Sequence, residues 1–173
     1  DGKLFALSMV SVSSGSTGEP TFWPRGGEQD DETLLSHEIF MRDSFEIHNR
    51  STLFINSFAM GVWIAGILTY RVVDRFAEKY RLTQMTPGIN KDEIINIIKS
   101  IGEKYDQIII AGYPPFVKDV IDEGPRRGIN WKQFNIKFLF AAESFSEGWR
   151  DYMYKKIGAK NPYKDSLNIY GTA

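Results

Sequence analysis

The stretch Gln107-Ile108-Ile109-Ile110-Ala111, followed at once by Gly112-Tyr113-Pro114-Pro115, decides the fold. Three successive isoleucines leave no polar face, so a strand here is buried on both sides. The Gly-Tyr-Pro-Pro run ends it, and Pro115 to Arg126 reads as a helix. The same alternation continues in both directions. Leu53-Phe54-Ile55 is a strand before a helix from Met60 to Tyr80. Leu82 to Met85 is a strand before a helix from Asn90 to Tyr105, with Ile94, Ile95, Ile97, Ile98 and Ile101 inward. Ile136 to Ala141, a helix from Ser146 to Ile157, and Leu167 to Tyr170 complete the series. Short apolar strands separated by helices indicate a parallel sheet covered on both faces. Ahead of it, Lys3 to Val12 and Thr21-Phe22-Trp23 read as a hairpin closed by Pro24 and Gly26-Gly27. Asp30 or Asp31 then reads as the N-cap of a helix ending before His48. The expected fold class is α/β: a mostly parallel sheet with helices on both faces, preceded by a β-hairpin. Residues 1–27 form the hairpin and 28–173 the α/β unit.

Composition narrows the function. The 173 residues are 42% hydrophobic and 25% charged, as in an ordinary globular domain. A net charge of −1 provides no basic field, so neither nucleic acid nor an anionic membrane is an expected partner. The absence of cysteine excludes disulfides, thiolate catalysis and a cysteine-rich zinc site. The most apolar run, Phe58 to Tyr70, falls short of the roughly 20 residues that span a bilayer. With no signal peptide, the expected compartment is the cytoplasm. The chain begins at Asp1 and stops directly after an apolar run, which reads as a fragment of a longer protein.

In parallel sheets ligands gather at the carboxyl ends of the strands. Those ends are Asn56 to Gly61, Thr86 to Gly88, Gly112 to Pro115, Ala142 to Ser144, and Tyr170 onward. Their small, hydroxyl and aromatic residues suit a nucleotide pocket or plain connecting loops. The hairpin loop Ser13-Ser14-Gly15-Ser16-Thr17-Gly18-Glu19-Pro20 is denser still in hydroxyls. It is no Walker loop, because Glu19 and Pro20 follow Gly18 and no lysine lies between Lys3 and Lys79. It fits either a cradle of amides and hydroxyls around an anion or a polar hairpin tip. Elsewhere, His37 and His48 read as structural, Asp30-Asp31-Glu32 as a solvated helix start, and Arg25 as a surface arginine within reach of a phosphate.

The hairpin loop resembles the Ser-Ser-Gly-Thr-Thr-Gly-Lys-Pro phosphate loop of the adenylate-forming enzymes, which include acyl-CoA synthetases and aryl-acid ligases. Ala141-Ala142-Glu143-Ser144-Phe145-Ser146-Glu147 resembles the Gly-Ala-Glu-Pro-Trp-Ser-Glu segment of their phenylacetate–CoA ligase branch. Tyr170-Gly171-Thr172-Ala173 resembles the start of their Tyr-Gly-x-Thr-Glu motif. Asn56-Ser57-Phe58-Ala59-Met60-Gly61 occupies the place of an aromatic segment lining the acyl pocket.

That resemblance implies a reaction. A carboxylate attacks the α-phosphorus of ATP to give acyl-AMP and pyrophosphate, and a thiol then displaces AMP. Ser13, Ser14, Gly15, Ser16, Thr17 and Gly18 are the implied phosphate cradle; Ala142, Glu143 and Ser144 lie against adenine, and Tyr170, Gly171 and Thr172 complete the ATP site. Phe58, Ala59, Met60, Gly61 and Tyr113 are the implied acyl-pocket residues. The implied cofactors are ATP and magnesium, and the implied partners are a small carboxylic acid and CoA. As alternatives, the branch's acyl-protein synthetases use an acceptor protein instead of CoA, and a relative that has lost its chemistry would only bind nucleotide. The magnesium ligand, the catalytic lysine and the C-terminal lid domain that carries it are implied beyond Ala173, so no residue here is assigned to catalysis or metal. Two positions depart from the pattern: Glu19 replaces the loop lysine, and Ala173 stands where a threonine is usual.

Overall fold

A computed structural model describes residues 9–12, 18–159 and 161–169. Ser13 to Thr17 and Tyr170 to Thr172, assigned above to ATP, lie outside the described residues. β1 (Met9–Val12) and β2 (Phe22–Arg25) form an antiparallel hairpin. β3 (Thr52–Asn56), β4 (Leu82–Met85), β5 (Gln107–Gly112), β6 (Ile136–Ala141) and β7 (Ser166–Ile169) form a parallel sheet in the order β4-β3-β5-β6-β7. The fold is α/β, as the alternation predicts.

Side-chain alternation along the strands divides the core in two. Leu53, Ile55, Ile108, Ile110, Phe138 and Phe140 face α3 (Lys91–Ile101), α4 (Pro114–Glu123) and α5 (Glu147–Ile157). Phe54, Ile109, Ala111 and Leu139 face α1 (Gly27–Phe45) and α2 (Ile64–Ala77). The two sets are offset by one residue, as a pleated strand requires. Chain order reverses between β3 and β5, the switch point at which such sheets open a crevice. Buried Ser57 closes the base of that point, its hydroxyl donating to the Ala111 carbonyl at 2.6 Å.

Several boundaries differ from the sequence expectation. α1 starts at Gly27, not at Asp30 or Asp31. The Gln29 side chain accepts the Gly26 N–H at 3.2 Å, while Asp30 is drawn to Arg25 and Arg71. α2 starts at Ile64, not Met60. Asn56 accepts the Phe58 N–H at 3.3 Å and donates to the Gly66 carbonyl at 2.9 Å, so its side chain holds a non-helical loop between strand and helix. The helix predicted from Asn90 to Tyr105 is α-helical to Ile101 and tightens into a 3-10 turn over Gly102–Lys104. Ser146 caps α5, accepting from Trp149 N at 3.3 Å, so capping falls to Ser146 itself and leaves Glu143 to the preceding loop. A short helix α6 (Pro162–Asp165), absent from the sequence reading, leads into β7.

Candidate functional site

A cleft of about 700 Å³ opens on the α1–α2 side of the sheet, at the carboxyl ends of its strands. Leu139 and Ala141 of β6 and Ile169 of β7 form its floor. Phe58 from the β3 loop and Ile64, Ala65 and Leu68 of α2 form an apolar side. Thr33, Ser36, His37 and Phe40 of α1, with Arg25 of β2, form the facing wall. Ala142, Glu143, Ser144 and Asn168 stand at the rim. The cleft thus extends from the switch-point loop across to the last two strands.

The β6 loop takes its shape from one uncommon backbone conformation. Ala142 has φ 76°, left-handed for a residue with a Cβ, a state that costs about 1–3 kcal/mol. It turns the chain out of β6 so that residues 142–144 lie exposed along the rim. Asn168 of β7 ties this strap down by donating to the Glu143 carbonyl at 3.4 Å. The Glu143 side chain meets the Tyr113 hydroxyl, and that hydrogen bond raises the tyrosine pKa above its ordinary value.

α1 is fastened to α2 and to the turn after it: Asp30 pairs with Arg71 of α2 at 2.7 Å, and Glu38 takes Lys79 at 3.1 Å and the Tyr80 hydroxyl beyond the helix end. Arg25 is no surface arginine. It is 7% exposed, reaching Asp30 at 3.2 Å and Thr33 Oγ1 at 3.0 Å. Nor is Asp30 solvated, with 13% of its side chain exposed between two arginines.

His37, read from sequence as structural, faces the cleft. Its Nδ1 lies 2.8 Å from the Thr33 carbonyl. A carbonyl only accepts, so Nδ1 carries the proton and Nε2 holds the lone pair. Burial lowers the imidazole pKa, and Arg25 pushes the same way. This has a sign that stability measurements reveal. Above about pH 6.5 the ring is neutral in both folded and unfolded chains; below it the unfolded chain binds the proton first, so stability falls with pH toward the lowered folded value. His37→Gln removes that slope. Its Tm is expected to fall less than that of the unmodified chain between about pH 7.5 and about pH 5.5; equal falls would refute the assignment.

Of the residues singled out by sequence, the structure gathers Phe58, Ala142, Glu143 and Ser144 around one cleft, with Tyr113 bonded to its rim. Ala59, Met60 and Gly61 do not line it. Met60 fills the space beside Gly66 and Gly88, supporting the loop from beneath. Gly18 and Glu19 are exposed beside the undescribed part of the hairpin loop. His37, Thr33 and Asn168 were not predicted to line a site, and Arg25 was read as a surface arginine within reach of a phosphate, not as a wall of this cleft.

No protein-family model matches the chain, and no curated protein matches it. Solved structures do. 2-Hydroxyisobutyryl-CoA ligase in the postadenylation state with 2-HIB-AMP superposes with TM-score 0.69 at 15% identity, over 96% of this chain and 33% of that one. The same ligase in an open conformation with 2-HIB-AMP and CoA gives TM-score 0.66 at 16% identity, over 90% of this chain and 35% of that one. The fold is that of part of a CoA ligase. The chain spans about a third of the ligase chains it matches. Among the described residues no helix is long and apolar enough to cross a membrane.

Proposed function

We propose that this chain is the acyl- and nucleotide-binding part of an ATP-dependent carboxylate–CoA ligase of the phenylacetate–CoA ligase type. One observation carries the reading. In a CoA-ligase fold, the segment resembling the adenine strap, residues 142–144, and the aromatic acyl-segment residue Phe58 border the same cleft.

The residues divide the work. Phe40, Phe58, Leu68 and Leu139 enclose the apolar body of an acid and exclude water from it. The exposed backbone over 142–144 supports the nucleotide, and Ser13 to Gly18 hold its phosphates. Carboxylate and polyphosphate are both anionic, so alignment and charge stabilisation are what the protein contributes. Among the described residues no group of three or more His, Asp or Glu is placed to hold a metal, and Glu143 is the one carboxylate lining the cleft. Magnesium is therefore given no residue here, and no step is drawn through it.

The test is carboxylate-dependent ATP–pyrophosphate exchange by the natural-length protein carrying this chain, across a panel of aryl and aliphatic acids. Exchange dependent on one class of acid is the expected result. ATP binding without exchange for any acid would leave a nucleotide-binding module that does not activate acids. Product assays with CoA and with protein thiols or hydroxyls then distinguish a CoA ligase from an acyl-protein synthetase.

A further inference from the structure

Below its polar rim the cleft is mostly apolar except along α1, and the polar groups of that wall are almost fully committed to one another. Thr33 Oγ1 donates to the Gln29 carbonyl at 2.7 Å and accepts from Arg25 at 3.0 Å. Ser36 Oγ donates to the Thr33 carbonyl at 2.9 Å, the same oxygen that takes His37 Nδ1–H at 2.8 Å. Arg25 is held by Asp30 and Thr33. What remains is His37 Nε2, which has no hydrogen-bond partner among the described residues. The ring is held in place, with Phe40 against it at 4.7 Å between centroids and a tilt of 51°.

From this geometry we infer that His37 is a specificity-determining residue, whose Nε2 accepts a hydrogen bond from a hydroxyl on the apolar body of the acid. The inference rests on reading this cleft as the acyl site and names the substrate class: hydroxylated carboxylic acids in preference to their unsubstituted parents. The physical reason is asymmetric. An acid with the hydroxyl replaces water on Nε2 with a hydrogen bond of its own, whereas the parent acid seals that acceptor unpaired. Burial and the neighbouring Arg25 keep the imidazole neutral, so Nε2 offers a lone pair at neutral pH.

The experiment is calorimetric titration of the natural-length protein carrying this chain with matched acids, phenylacetate against 4-hydroxyphenylacetate and hexanoate against 6-hydroxyhexanoate. The ¹⁵N shift of His37 Nε2 is followed in parallel. In at least one pair the hydroxylated acid should bind about tenfold more tightly and move the Nε2 resonance. His37→Phe should abolish the preference, and His37→Gln, which keeps an acceptor, should retain part of it. Acids that bind with no preference in the unmodified chain, or with the same preference in His37→Phe, overturn this inference and leave the proposed function standing. No binding of any acid to the folded natural-length protein overturns the acyl-site reading itself.

Discussion

Lys137→Met is expected to destabilise the chain by about 4 kcal/mol, read as a fall in the urea midpoint at unchanged slope. Lys137 of β6 and Asp165, one residue before β7, form an ion pair whose side chains are 13% and 10% exposed. Asp165 also accepts the Asn161 N–H at 3.1 Å. Removing the ammonium leaves a carboxylate shielded from water and poorly compensated, which costs far more than the pair itself contributes. The double change Lys137→Met with Asp165→Leu should recover most of the loss, because it removes both charges. A single-variant loss below about 1 kcal/mol would mean that water already screens the pair. The consequence reaches the cleft. Among the described residues β7 pairs with β6 alone, and it carries Asn168 and Ile169 into the site. Loosening its start frees one wall.

Gly66→Ala is the second large effect, with an expected loss of about 3 kcal/mol. A Cβ at this buried position in the first turns of α2 would collide with the Ala59 carbonyl oxygen, at 2.9 Å from its carbon and 3.0 Å from Met60 Sδ. The obstacle is backbone, which cannot rotate away as a side chain can. Alanine is intrinsically better than glycine in a helix by about 1 kcal/mol, so the clash must exceed that gain for the variant to be destabilised. Gly148→Ala is the control. It lies exposed in α5 with nothing within 4 Å of the added methyl, and should stabilise by about 0.5–1 kcal/mol. If both substitutions stabilise, the loop over residues 57–63 is not seated against α2. Because that loop presents Phe58, Gly66→Ala should also weaken acid binding in the same titrations.

The strands were legible because burial on two faces leaves a mark in local sequence. Leu82–Met85 and Ile136–Ala141 match their predicted bounds, and Gln107–Gly112 is one residue longer than predicted. Helix starts were less legible, since they depend on side chains that reach back along the chain. Asn56 delays α2 by hydrogen bonds to Phe58 and Gly66, and Gln29 advances α1 by taking the Gly26 N–H. Of the site, the segments at strand ends were visible as motifs, and those at Phe58 and 142–144 do border one cleft.

Arg25 and His37 were not visible in that way. Nothing in their neighbouring residues separates a surface arginine from a buried one, or a packed histidine from one facing a cleft. Their roles come from the rotation and placement of α1, set by contacts between residues 41 and 42 apart in sequence, Asp30 with Arg71, Glu38 with Lys79 and Glu38 with Tyr80. Local pattern therefore determined which segments are strands, which face of each is buried, and which loops lie at the ligand-bearing edge. Only tertiary packing decided which side chains close around the cleft, because that depends on how one helix is turned against another.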